Sequence, residues 1–293
     1  MYMSGIVIFV LLIAGPFTGE AYPSGAGGPA ETLDELAARY ADDACKGCHA
    51  KIFEEWKDSY HSQSVTHSLP GMRNFVVFGL KEGWKRPFNK EDFMRCFSCH
   101  APQLRDASEG LIRKIGDLIV SAIDGNDAEK SAAKARLAKL NVNCVICHST
   151  LAEVEKNLRG MPQKGVYYGP TGASSAAHGT MKSGAITSPV FCGQCHWVLA
   201  PPDGDLVVCN TLYGSYQDAY RANGGSQTCQ DCHMRSKGRG HRFPGAYDAE
   251  MVREGIGLDV QVSSFKGPAG VWDPTAVVTV GLTNNAGHRI PDG

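Results

Sequence analysis

The chain has 293 residues, with 29 Lys and Arg against 30 Asp and Glu, so its formal charge is −1. That balance excludes the basic patch that nucleic acid demands, and an apolar share of 43% excludes a charged, disordered chain. The informative counts are smaller: 11 Cys and 10 His, with ten of the Cys falling in five Cys-x-x-Cys-His motifs.

Residues 6–14 are an unbroken apolar run, too short for a bilayer span of about 20 residues. It fits the apolar region of a secretory signal, residues 1–21, with Gly19 and Ala21 as the small residues before a cut at Tyr22. Residues 1–5 hold no Lys or Arg, a departure from the usual signal; a buried strand and an uncleaved anchor are the competing readings. Once the leader is removed, no stable membrane span is expected. Residues 22–30 read as a flexible, Gly-rich and Pro-containing leader.

Thr32 and Glu35 make a capping box, predicting a helix with Leu33, Leu36 and Tyr40 on one side. A second helix is expected from Ala50 past Tyr60. On it His49, Phe53, Trp56 and Tyr60 share a face, either lining a cofactor or forming a plain aromatic core. Residues 107–140 predict two helices broken at Gly125-Asn126, and residues 159–189, rich in Gly, Ser and Pro, predict loop. A helix is expected around Leu212–Ala222. Beyond residue 250 the pattern changes: Ile256–Val262 and Ala276–Leu282 alternate apolar and polar residues, as strands do. Two strands do not make a stable sheet alone. They read either as the start of a β-sandwich domain in a longer chain or as strands packed on the helical part or a partner. The expected fold is thus mostly α and irregular, with a small C-terminal β element. Its expected division is 1–21 signal, 22–250 cofactor-binding domain and 251–293 β region.

The five motifs are Cys45-x-x-Cys48-His49, Cys96-x-x-Cys99-His100, Cys144-x-x-Cys147-His148, Cys192-x-x-Cys195-His196 and Cys229-x-x-Cys232-His233. This spacing is the c-type haem attachment signature: two thiols join the haem vinyls and the adjoining His supplies an axial nitrogen. A Cys pair alone would also suit zinc or redox exchange, but five adjoining His in five motifs make those readings remote. Five covalent haem c groups are expected, held outside the cytoplasm. Once the leader is set aside, only about 54 residues remain per haem. On this count the haems form much of the core and the apoprotein should not fold.

Five His lie outside the motifs, namely His61, His67, His178, His241 and His288, matching in number the sixth positions of five irons. Each also has an ordinary reading as a surface or core residue. If one helix joins them, His61 lies about 18 Å and roughly 120° from His49, so it would serve a different haem. Met could substitute as a ligand and raise the potential. Cys209 reads as a buried inert thiol or, more weakly, an intermolecular link.

The chain resembles the multihaem c-type cytochromes related to the tetrahaem cytochrome of nitrifiers and to those of metal-respiring bacteria. The likeness rests on Cys45-Lys-Gly-Cys48-His49-x6-Trp56-x3-Tyr60-His61, Asn143-Cys144-Val-Ile-Cys147-His148, Phe191-Cys192-Gly-Gln-Cys195-His196 and Cys229-Gln-Asp-Cys232-His233-Met234. Asn285-Ala-Gly-His288-Arg-Ile-Pro resembles a loop of the β-domain that follows the haem region in larger members. The resemblance implies electron transfer along a haem chain in the periplasm or outside the cell. The implied partners are redox proteins or other multihaem cytochromes and, as in filament-forming relatives, further copies of the chain. Pentahaem nitrite reductase, which carries Lys in its catalytic motif, is the enzyme comparison. Here every motif carries His, which favours a carrier; a reductase of a small nitrogen or sulfur oxyanion requires one open haem.

Overall fold

The computed structural model describes residues 28–82, 88–150, 165–197 and 211–292. The signal segment and Cys209 lie outside these residues.

Helix α1 (Leu33–Arg39) starts where expected. Thr32 Oγ1 accepts from the Glu35 amide at 3.1 Å, but the Glu35 carboxylate accepts from Glu31 N at 3.0 Å rather than from Thr32. The box is therefore closed one residue early. Leu33, Leu36 and Tyr40 are all buried.

Helix α2 (Ala50–Lys57) is shorter than its pattern implies. It stops at Asp58, and a 3₁₀ turn over His61–Gln63 carries the chain to α3 (Leu69–Asn74). Ser59 and Ser62 explain the break: Ser62 Oγ donates to the carbonyls of Lys57 and Ser59, both at 2.8 Å, competing with helical pairing. The single-helix route from His49 to His61 is thus corrected to a helix and a turn. The aromatic face is split too. Phe53 meets Trp56 edge-on, while Tyr60 turns outward and is 45% exposed.

Helix α4 (Lys90–His100) carries the second motif in its last turns and opens with an Asn89/Asp92 capping box. Helices α5 (Glu109–Asp124) and α6 (Asp127–Leu137) break at Gly125-Asn126 as expected, with Asn126 capping α6. Together α1 and α3–α6 enclose an ordinary apolar core between Ala30 and Ile146, in which Phe93 and Phe97 stack at 4.1 Å against Ile112, Ile115 and Ile119. The expectation that the haems form much of the core therefore does not apply to this half. The first half buries its own side chains, and beyond Ile146 the only buried apolar groups among the described residues are Tyr168, Ala185 and Tyr216.

The predicted loop 159–189 contains two short parallel strands, β1 (Val166–Gly169) and β2 (Gly179–Lys182). The stretch joining them holds His178. Short helices α7 (Pro189–Gly193) and α8 (Leu212–Ser215) follow, the latter continuing as a wider helical coil over Tyr216–Arg221.

After α9 (Ala249–Gly255), strands β3 (Ile256–Lys266) and β4 (Trp272–Asn284) form one long antiparallel hairpin. Leu258 faces Leu282, Val260 faces Val280 and Val262 faces Val278, so one face is wholly apolar there. These six side chains are all at least half exposed. The opposite face carries Asp259, Gln261 and Thr279.

Candidate functional site

The structure gathers eight of the ten His into four pairs, each joining one motif His to one outside the motifs. Ring centres stand 6.4 Å apart for His49–His178, 6.1 Å for His61–His196, 6.2 Å for His148–His241 and 6.3 Å for His233–His288. Two imidazoles bound across one metal atom, through bonds of about 2 Å each, come to this spacing. The side chains therefore fit a metal held between two neutral rings. His61 lies against His196 and not His49, as its separation implied. His67 and His100 form no such pair among the described residues; the ring of His67 lies against Tyr60 and Tyr247.

Backbone carbonyls aim the rings. The Nδ1 of His100, His148 and His233 donates to the carbonyls of Ser64, Tyr168 and Pro244 at 2.8, 2.8 and 2.7 Å. His178 and His288 donate in the same way to Gly179 and Arg289. A proton fixed on Nδ1 leaves the Nε2 lone pair free to bind metal. Desolvation by the surrounding protein lowers the His61 pKa to about 4, and the same cause lowers those of His148, His233 and His241. Neutral imidazole is the form that ligates.

The motifs sit against one another. The thiols of Cys45 and Cys144 lie near enough to shift each other's ionisation, as do those of Cys192 and Cys229. His148 feels the charge of His49, and His196 that of His233 and His100. The first motif thus adjoins the third, and the fourth adjoins the fifth and the second.

Several supporting contacts carry no sequence signal, because the partners are distant in the chain. Trp56 Nε1 donates to the Val142 carbonyl at 3.0 Å, bracing the third motif. Phe243, in a left-handed conformation with φ 46°, meets His61 and His241 edge-on, with ring centres 4.7 and 5.6 Å apart. Glu55 is buried and accepts from the His241 amide at 3.0 Å. Gly240, at φ +60°, leaves room for that carboxylate; a Cβ there would stand 2.0 Å from Glu55 Oε2. Glu55→Ala should cost about 1–3 kcal/mol through the unpaired amide. Gly240→Ala should cost more, adding about 1–2 kcal/mol for the left-handed backbone. Both should disturb the spectrum of one haem only, measured by thermal melting and electron paramagnetic resonance (EPR) of the haem-loaded protein.

The fifth motif is supported by charge. Buried Arg239 donates to the Cys232 carbonyl at 2.7 Å and to Glu254 at 2.6 Å, and Glu254 also pairs with Lys237. The Lys237 and Arg239 hydrogen bonds hold Glu254 below the usual carboxylate range, and Thr228 and Arg235 do the same for Asp231. A carboxylate whose folded pKa is depressed stabilises the fold above its unfolded pKa, and that contribution is lost as pH falls through the folded value. Segment 228–244 should therefore become protease-sensitive below the ordinary carboxylate range before the helical core does, and earlier at high salt. Uniform acid sensitivity along the chain would count against this support.

Mostly helical and irregular segments around paired imidazoles and five Cys-x-x-Cys-His motifs define a multihaem c-type cytochrome. The family described as outer membrane cytochrome MtrC/MtrF-like, domains II/IV, matches residues 81–242, more than half of the chain, and the chain belongs to it. The family of cytochrome c554 and c-prime matches residues 44–117. No curated protein and no solved structure matches the chain. Its work is haem-based electron transfer with covalent haem c. Among the described residues no helix is long and apolar enough to cross a membrane.

Proposed function

We propose that the chain carries five haem c groups and conducts electrons between redox partners outside the cytoplasm, other cytochromes among them. Cys45 and Cys48, Cys96 and Cys99, Cys144 and Cys147, Cys192 and Cys195, and Cys229 and Cys232 attach the haems. His49, His100, His148, His196 and His233 are the proximal ligands, and His178, His61, His241 and His288 complete four of the irons. The observation that carries this reading is the set of four imidazole pairs at 6.1–6.4 Å. Bound there, haem supplies reversible one-electron chemistry. The protein's part is to hold each ring neutral, aimed and close to its neighbours. Ligation by two imidazoles without Met favours low potentials. The nearness of the motifs supports an electron route from the first to the third and from the fourth to the fifth.

Residues 22–250 form the haem-bearing unit in this reading. The β3–β4 hairpin belongs to a β-sandwich-like element whose apolar face is built to be covered by further strands. A pyridine haemochrome count on the purified protein, with a redox titration, tests the proposal. Five haems per chain and reversible low-potential titration are expected. Fewer than five covalent haems, or irreversible reduction, would sink it.

A further inference from the structure

One aromatic ring stands between two of the imidazole pairs. Phe243 meets His61, of the His61–His196 pair, at 89°, and His241, of the His148–His241 pair, at 78°. Both of these imidazoles lie outside the motifs. The ring is held there against its own backbone preference. Phe243 follows the 3₁₀ turn Gly240–Arg242 with φ 46° and ψ 55°, a left-handed position that glycine commonly fills where a helix ends. For a bulky side chain that conformation is an outlier. Pro244 comes next and biases the residue before it toward extended backbone. Both flanks are pinned: the His241 amide donates to Glu55 at 3.0 Å, and the Pro244 carbonyl accepts from His233 Nδ1 at 2.7 Å. A glycine would serve this turn with less strain, so the turn does not explain the phenyl ring. Such strain persists only where the surroundings enforce it, and it gathers at functional sites.

We propose that Phe243 is a positioning residue for electron exchange between the third and fourth haems: its ring fixes the His241 and His61 imidazoles relative to each other and packs the space between them. The first and third motifs lie together, as do the fourth and fifth. His241 pairs within the first group and His61 within the second, so this ring lies where the groups meet. A single electron crosses, oxidising one iron and reducing the other, with no bond made or broken. Electronic coupling falls more steeply across an empty gap than through packed atoms, which gives the ring its part. The inference rests on the five-haem reading, so variants are compared at equal haem content, which the haemochrome count measures separately.

The test is EPR of the full, haem-loaded chain. In Phe243→Leu and Phe243→Gly the signals of the His61–His196 and His148–His241 pairs should shift together, while those of His49–His178 and His233–His288 stay. Phe243→Tyr keeps the ring and should keep the wild-type spectrum. Glu55→Ala is the control and should move the His148–His241 signal alone. Samples freeze-quenched after mixing with limiting dithionite then follow electron exchange. The two signals should bleach in step in the wild type, and in Phe243→Gly the slower should lag several-fold. Where Phe243→Gly does not load five haems, Phe243→Leu carries both measurements. A shift confined to one pair would overturn the proposal, since the ring would then serve one ligand only. A shift in all four pairs would overturn it in favour of general packing. Signals that still bleach in step without the ring would remove its part in electron exchange.

Discussion

Replacing His61 with Met should raise the midpoint potential of a single haem by on the order of 0.1 V, a fraction of the ~0.8 V over which axial ligands act. The reason is local. Thioether sulfur is a weaker donor than imidazole and favours ferrous iron. His61 is a half-buried, neutral imidazole 6.1 Å from His196, so the affected haem is the fourth. The pair is also distinguishable by eye in a spectrum. Its ring planes stand at 83°, whereas those of His233–His288 stand at 16° and those of His148–His241 at 30°. Crossed and near-parallel imidazoles give different low-spin EPR envelopes. His61→Met should remove the crossed-ring signal and leave the others. Unchanged potentials throughout would show that His61 binds no iron.

Phe97→Ala should destabilise the haem-loaded protein by about 3–5 kcal/mol, the usual cost of emptying an aromatic site in a core. Phe97 has no exposed surface and stacks on Phe93 with 6° between the rings. It also sits between Cys96 and Cys99 on α4, so the cavity opens beside the second motif. Denaturant unfolding followed by far-ultraviolet dichroism measures the loss, and Phe97→Leu should recover most of it. A change under 1 kcal/mol would mean that the haems, and not this aromatic stack, hold the first half together.

The five motifs were legible because their chemistry is written in local spacing. Five motifs and five further His stood out before any folding was considered. Pairing was not legible, since His49 and His178, or His233 and His288, meet only through the turns and strands between them. The α5–α6 break was readable from Gly125-Asn126, whereas the end of α2 was not, because apolar spacing ran on through Tyr60 while two serines ended the helix. The β1–β2 pair was hidden by the Gly and Ser around it. Glu55 showed nothing at all: its partner amide at His241 is 186 positions away. The large apolar core of α1 and α3–α6 was missed because dividing chain length by haem number assumes an even distribution, whereas among the described residues nearly all buried apolar side chains lie in the first half.

The nearness of the Cys45 and Cys144 thiols bears on how such a chain matures. Both sulfurs must be free when haem is attached, and folding ahead of attachment would bring them together, as it would Cys192 and Cys229. In an oxidising compartment one such encounter would seal two motifs at once into a disulfide. On the proposed reading, attaching haem before the chain closes would keep these thiols apart.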